Sequence, residues 1–122
     1  EFPLADGRRA DVAALNDRGD IVIIEIKSCA IDYQSDKKWR HYQDWCDNFY
    51  FATDSSFPHA LIPQDCGLLV ADAYGAVELR AAVPIRLAAA RRRAMTVRFA
   101  QIAANRLHRL EDPLAAGEAL SM

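Results

Sequence analysis

Glu25 and Lys27 stand two residues apart at the end of an apolar run, residues 21–27, that reads I-V-I-I-E-I-K. Side chains on a strand alternate with period two, so Glu25 and Lys27 share a face with Ile21 and Ile23 while Val22, Ile24 and Ile26 take the other. Apolar on both faces, the run predicts a central, buried strand. A carboxylate and an ammonium at its end are costly to desolvate and need a partner, for which a metal ion is one candidate. Upstream, residues 9–16 read as a second strand, and Asp17-Arg18-Gly19 as a three-residue loop with Gly19 left-handed. Pairing Asn16 with Asp20 brings Asp11 opposite Glu25; a slip of one residue would turn Asp11 to the other face.

Two carboxylates in that relation can hold a hard divalent cation such as Mg2+ (or Mn2+), which keeps several waters and suits phosphate substrates. Such an ion would polarise a phosphoryl oxygen, with Lys27 orienting or deprotonating an attacking water or stabilising transition-state charge. The competing reading is a Glu-Lys pair on a wet strand surface with Asp11 an unrelated neighbour.

The surrounding elements must position these groups. Residues 1–5 open in a strand, as though a preceding helix lay outside the sequence, and Asp6-Gly7 is a turn signal. A short connector, S-C-A-I-D-Y-Q, leads from Lys27 to a helix predicted over 35–46, with Ser35 as N-cap. Trp39, Tyr42 and Cys46 recur on it at helical spacing. Trp39 and Trp45, six residues apart, would lie on different faces of that helix, so they are not both expected in the core. Residues 48–52 return as a strand, making a strand-helix-strand unit that should be parallel. A loop with Pro58 and Pro63 spans 53–66, and residues 67–73 and 76–82 form a hairpin around Tyr74-Gly75. One long helix is predicted over 87–110, with Met95, Phe99, Ile102, Ala103, Leu107 and Leu110 as its apolar stripe and Arg91, Arg98 and Arg109 on another face. The expected organisation is a single α/β domain over 1–112 and a loose tail over 113–122.

With 122 residues and 52% hydrophobic content, the chain suffices for one domain with one core. No apolar run approaches the ~20 residues of a membrane span and no signal segment opens the chain, so the sequence reads as that of a cytoplasmic protein. Cys29, Cys46 and Cys66 lack paired metal spacing and are expected to be buried free thiols. His41, His59 and His108 share no motif spacing, which argues against Ser-His or zinc chemistry. Charge is segregated: residues 1–78 carry seven Lys or Arg against fourteen acids, and residues 79–122 carry eight Arg against three acids. Nucleic acid plus metal would explain both halves. The Arg91-Arg92-Arg93 run, near a helix start where cations are unfavourable, would be relieved by a phosphate backbone, the plainer reading being a solvated helix start.

A strand hairpin with Asp11, a loop, apolar residues and the E-x-K of Glu25 and Lys27, followed by helix and strand, resembles the PD-(D/E)xK nuclease superfamily. More closely, A-D-V-A-A-L, I-V-I-I-E-I-K-S, K-W-x-x-Y, C-D-N-F-Y-F-A and G-L-L-V-A-D-A-Y-G-A resemble the MmcB family of bacterial DNA repair proteins. The resemblance implies a restriction-endonuclease-like core, a mixed central sheet flanked by helices. It implies Asp11 and Glu25 as metal ligands with the main-chain carbonyl of Ile26 as a third, and Lys27 as the catalytic lysine. Ala10 stands where the superfamily motif often has Pro. The helix after Lys27 faces the site in this superfamily, which makes Asp36, Tyr42 and Gln43 secondary candidates and Lys38 the preferred phosphate contact. With Arg91, Arg92, Arg93 and Arg98, Lys38 completes a candidate DNA-binding set.

The function expected is metal-dependent hydrolysis of a DNA phosphodiester during repair. The alternatives are a DNA-binding or adaptor module of the same fold without cutting activity, and a small domain that binds only protein partners. A homodimer or contact with other repair proteins is compatible with each.

Overall fold

The computed structural model describes residues 1–112; the tail expected over 113–122 lies outside the described residues. Strand β1 (Phe2–Pro3) pairs antiparallel with β2 (Arg9–Ala10) as a small separate ribbon. The main sheet has five strands in the order β3 (Val12–Leu15), β4 (Ile21–Ile26), β5 (Asn48–Thr53), β6 (Gly67–Asp72) and β7 (Gly75–Arg80). The β3–β4 and β6–β7 pairs are antiparallel and β4–β5–β6 are parallel, so the sheet is mixed, as the fold class predicted. Helices α1 (Ala30–Ser35) and α2 (Ala89–Glu111) and two 3-10 helices (Trp39–Trp45 and His59–Leu61) complete it. No helix among the described residues is long and apolar enough to cross a membrane.

The predicted register holds. Val12 pairs with Ile24 and Leu15 with Ile21, and Asn16 N–H donates to Asp20 O across a loop in which Gly19 has φ 82°. The strand predicted over 9–16 is nevertheless broken at Asp11, because there the two strands exchange carboxylate-to-amide bonds in place of a regular ladder.

Ile21 and Ile23 of β4, Phe49 and Phe51 of β5 and Leu68 of β6 form the buried face, joined by Met95 of α2. The expectation that β4 is buried on both faces is corrected: Val22 and Ile24 are half-buried and Ile26 is 57% exposed. Charge did not intervene here; the core elements simply pack against one side.

The helix predicted over 35–46 is also corrected. The connector itself forms α1, with the Asp32 carboxylate accepting the Ser28 N–H in its first turn. The chain then leaves the helix at Asp36, whose backbone is extended and whose carboxylate is taken by Lys27 and the Lys38 N–H. Beyond this break residues Trp39–Trp45 wind as a 3-10 helix. With three residues per turn, Trp39, Tyr42 and Trp45 fall on one side rather than on different faces. Trp39 is buried and stacks on Phe49 at 5.5 Å, and Tyr42 and Trp45 pack against the same core.

Two smaller shifts have causes in local chemistry. The hairpin turn is Ala73-Tyr74, one residue earlier than expected, since Asp72 Oδ1 accepts both the Tyr74 and Gly75 N–H groups. On α2, Met95 is buried and Phe99 and Ile102 pack on the core, but Leu107 and Leu110 are 55% and 80% exposed, so the predicted stripe overreaches at its C-terminal end. Cys46 and Cys66 are buried free thiols as expected, whereas Cys29 is exposed.

Candidate active site

Asp11 and Glu25 meet at the point where the β3–β4 ladder ends. The Asp11 N–H donates to Glu25 Oε2 at 2.8 Å, and the Ile26 N–H donates to Asp11 Oδ2 at 2.9 Å. Each carboxylate thus gives one oxygen to the other strand's backbone. The second oxygens, Asp11 Oδ1 and Glu25 Oε1, have no donor among the described residues.

Glu25 is 5% exposed, and its carboxyl is pushed up to about 7, first by burial and then by the negative charge of Asp11; the Asp11 N–H and Lys27 oppose the rise. Near neutral pH this group sits midway between acid and carboxylate. A cation at the free oxygens would favour the charged form and remove the cost of desolvating it. Among the described residues no three His, Cys, Asp or Glu side chains cluster as metal ligands.

Lys27, 8% exposed, lies on the Glu25 face as the period-two pattern requires. Its Nζ donates to Asp36 Oδ2 at 2.8 Å. Burial alone would raise the Asp36 carboxyl, but the Lys27 bond and the Lys38 N–H hold it below the usual carboxylate range. Asp36 therefore belongs to the site through Lys27.

Tyr42 is half-buried beside these groups, with its hydroxyl donating to Arg9 O at 2.9 Å. Its phenol is pushed up to about 12 by burial and by the charges of Glu25, Asp36 and Asp11, so it stays protonated and keeps its one O–H on Arg9 O. Gln43 turns elsewhere, its Oε1 accepting from Arg40 Nη1 at 3.2 Å. Lys38 is exposed, and its side chain makes no hydrogen bond or ion pair among the described residues.

The arginines divide. Arg92 is paired bidentately with Asp47 and also reaches Gly19 O. Arg98 donates to Pro3 O at 3.1 Å. Arg91 donates to Asp44 O at 3.0 Å and lies over the Trp45 ring. Arg93 alone of the four is exposed with no intramolecular partner among the described residues.

Asp47 lies in the C-D-N-F-Y-F-A stretch but is given no role by the sequence, yet it organises the opposite end of β4. Its carboxylate accepts from the Ile21 N–H at 2.7 Å, the Leu87 N–H at 3.0 Å and the Arg92 guanidinium. Burial works to raise this carboxyl, and those bonds outweigh it and hold the group low. The one signal available was an acid lodged between Cys46 and the apolar strand after it.

A family model described as "DNA repair protein MmcB-like" matches residues 1–114. A solved structure, the SPO1766 protein of unknown function from Silicibacter pomeroyi, aligns with a TM-score of 0.89 at 44% sequence identity, over 100% of this chain and 82% of that one. No curated protein matches the chain.

Proposed function

The chain belongs to the MmcB-like family of DNA repair proteins, and from that premise we propose that it is a metal-dependent deoxyribonuclease whose site is Asp11, Glu25 and Lys27. The observation that carries this reading is the reciprocal lock of Asp11 and Glu25, which holds two carboxylates at one strand end with one oxygen of each left free. Asp11, Glu25 and the carbonyl of Ile26 would hold Mg2+ or Mn2+. The bound ion would supply Lewis-acid polarisation of a phosphoryl oxygen and a more acidic water.

The remaining work falls to the chain's own groups. Two backbone N–H groups fix the carboxylates, so little reorganisation accompanies binding. Lys27, aimed by Asp36, can orient the attacking water or neutralise charge on the phosphoryl oxygens once a phosphate competes for its ammonium. Lys38 and Arg93 are free to contact the DNA backbone, which gives affinity without sequence readout.

A second reading, a DNA-binding or adaptor protein of the same fold, is favoured by one feature: the Lys27 ammonium is already engaged by Asp36. Calorimetry with Mg2+ and Mn2+ on the wild type, Asp11→Ala and Glu25→Ala, beside cleavage assays on several DNA forms with Lys27→Ala, separates the two. The nuclease reading expects metal binding lost in both carboxylate variants and cutting lost in Lys27→Ala with DNA binding retained. Unchanged metal binding in both variants rejects the site. Metal-independent DNA binding with no cutting of any form supports the adaptor.

A further inference from the structure

At the starts of β4 and β5, a polar cavity of about 420 Å³ opens among Arg18, Asp20, Asp47, Asn48, Arg86 and Arg92. Three guanidiniums face two carboxylates there, and one of those carboxylates, Asp47, already has both oxygens occupied by Arg92 and backbone N–H groups. Asp20 Oδ2 is engaged by the Asn16 amide at 3.1 Å and Arg18 at 3.6 Å, and its Oδ1 lies 3.9 Å from Arg92. The Arg86 and Asn48 side chains have no hydrogen-bond or ion-pair partner among the described residues.

Arg86 is also the one non-glycine among the described residues with positive φ, 61°. That conformation is unfavourable for a residue with a Cβ. It is imposed from both sides, since the Ile85 N–H is tied to Asp47 O at 2.7 Å and the Leu87 N–H to Asp47 Oδ1 at 3.0 Å. The residue standing between these two anchors has its long cationic side chain at the cavity, where glycine or asparagine would have met the backbone demand more easily.

We propose that this cavity is a phosphate-binding site, with Arg86 and Arg18 as its ligating cations and Asn48 as a neutral donor. A tetrahedral anion with several acceptor oxygens suits guanidiniums that line one cavity, each able to bond it through two N–H groups. The cavity lies at the opposite end of β4 from Glu25, roughly 17 Å away at strand rise, so it is a separate site. It does not depend on the Asp11–Glu25 reading. A DNA backbone and free phosphate are two sources of the same group.

The test titrates inorganic phosphate against an Asp11→Ala parent and the same parent carrying Arg86→Gly or Arg18→Gln, following the arginine side-chain N–H resonances by NMR. Glycine suits φ 61°, so Arg86→Gly is expected to melt no lower than its parent while phosphate affinity falls at least about tenfold. Arg18→Gln is expected to weaken it less, and keeps the test open if Arg86→Gly misfolds. Absence of phosphate binding to the parent at millimolar concentration overturns the proposal, as does parental affinity in Arg86→Gly or, should that variant misfold, in Arg18→Gln. A metal-free titration with a short DNA duplex then identifies the source. Affinity lost in the same variants points to the backbone; affinity unchanged while phosphate binding falls points to free phosphate.

Discussion

Both ends of β4 lodge a buried carboxylate against backbone N–H groups, and the two acids respond in opposite directions. At its start, Asp47 accepts two N–H groups and a bidentate guanidinium and is held low. At its end, Glu25 accepts one N–H, lies against a second carboxylate, and is pushed up to about 7. Burial acts on both. The difference is the cation: Arg92 is supplied by the chain to Asp47, whereas Lys27 is drawn toward Asp36 and leaves Glu25 short of positive charge. One end is a closed structural joint, and the other keeps carboxylate oxygens with no donor among the described residues.

The widest gap between the ends should come from Asp47→Asn. It deprives a half-buried arginine of its partner and weakens the anchor of β4, the α2 approach and α2 itself, at a cost of about 3–5 kcal/mol. Urea denaturation at pH 7 measures it, and a loss below about 1 kcal/mol would dissolve the contrast.

Glu25→Gln should do the reverse. A carboxyl whose folded value is raised contributes stability that is complete below its unfolded range and is lost as pH rises through the folded value. The rise from 4.5 to about 7 corresponds to a loss of roughly 3 kcal/mol between pH 4 and pH 8. Glutamine carries no such charge, so the variant should lack this fall in stability and exceed the wild type at pH 8. Added Mg2+ should recover stability in the wild type alone. Denaturation at several pH values, with and without the ion, provides the check.

The smallest effect is expected for Asp36→Asn. Asp36 is partly exposed and asparagine keeps an acceptor oxygen for the buried Lys27 ammonium, so losing the counter-charge should cost about 1–2 kcal/mol at pH 7. Because the Asp36 carboxyl is held low, that difference should shrink as pH falls below the ordinary carboxylate range and through the lowered value of the folded protein. If Asp36 positions Lys27, Asp36→Asn should also shift the pH profile of any cleavage, while Asp36→Glu restores it in part; a purely structural role predicts no shift.

The site was more legible than the elements that carry it. Asp11, Glu25 and Lys27 are separated only by a short loop and one strand, so period two and a single pairing register suffice to bring them together. Asp36 and Tyr42 are candidates through the helix that the resemblance places after Lys27; that helix does not form, yet Asp36 bonds Lys27 and Tyr42 lies near Glu25. The break at Asp36 has no local signature, since it depends on a bond to Lys27, nine residues earlier. The same break turned Trp39 and Trp45 onto one side.

By itself the sequence determined the mixed sheet's order of elements, the β3–β4 register and the acid-acid-lysine set, all of which arise from local period and turn chemistry. Only the tertiary structure decided the fate of the arginines. Arg92 went to Asp47, Arg98 to Pro3 O and Arg91 to Asp44 O, while Arg86 and Arg93 stayed free of partners among the described residues. The physical reason is reach: a long cationic side chain takes whichever acceptor the fold brings within a few ångströms, and acceptors 45 to 95 residues away in the chain leave no trace in local spacing.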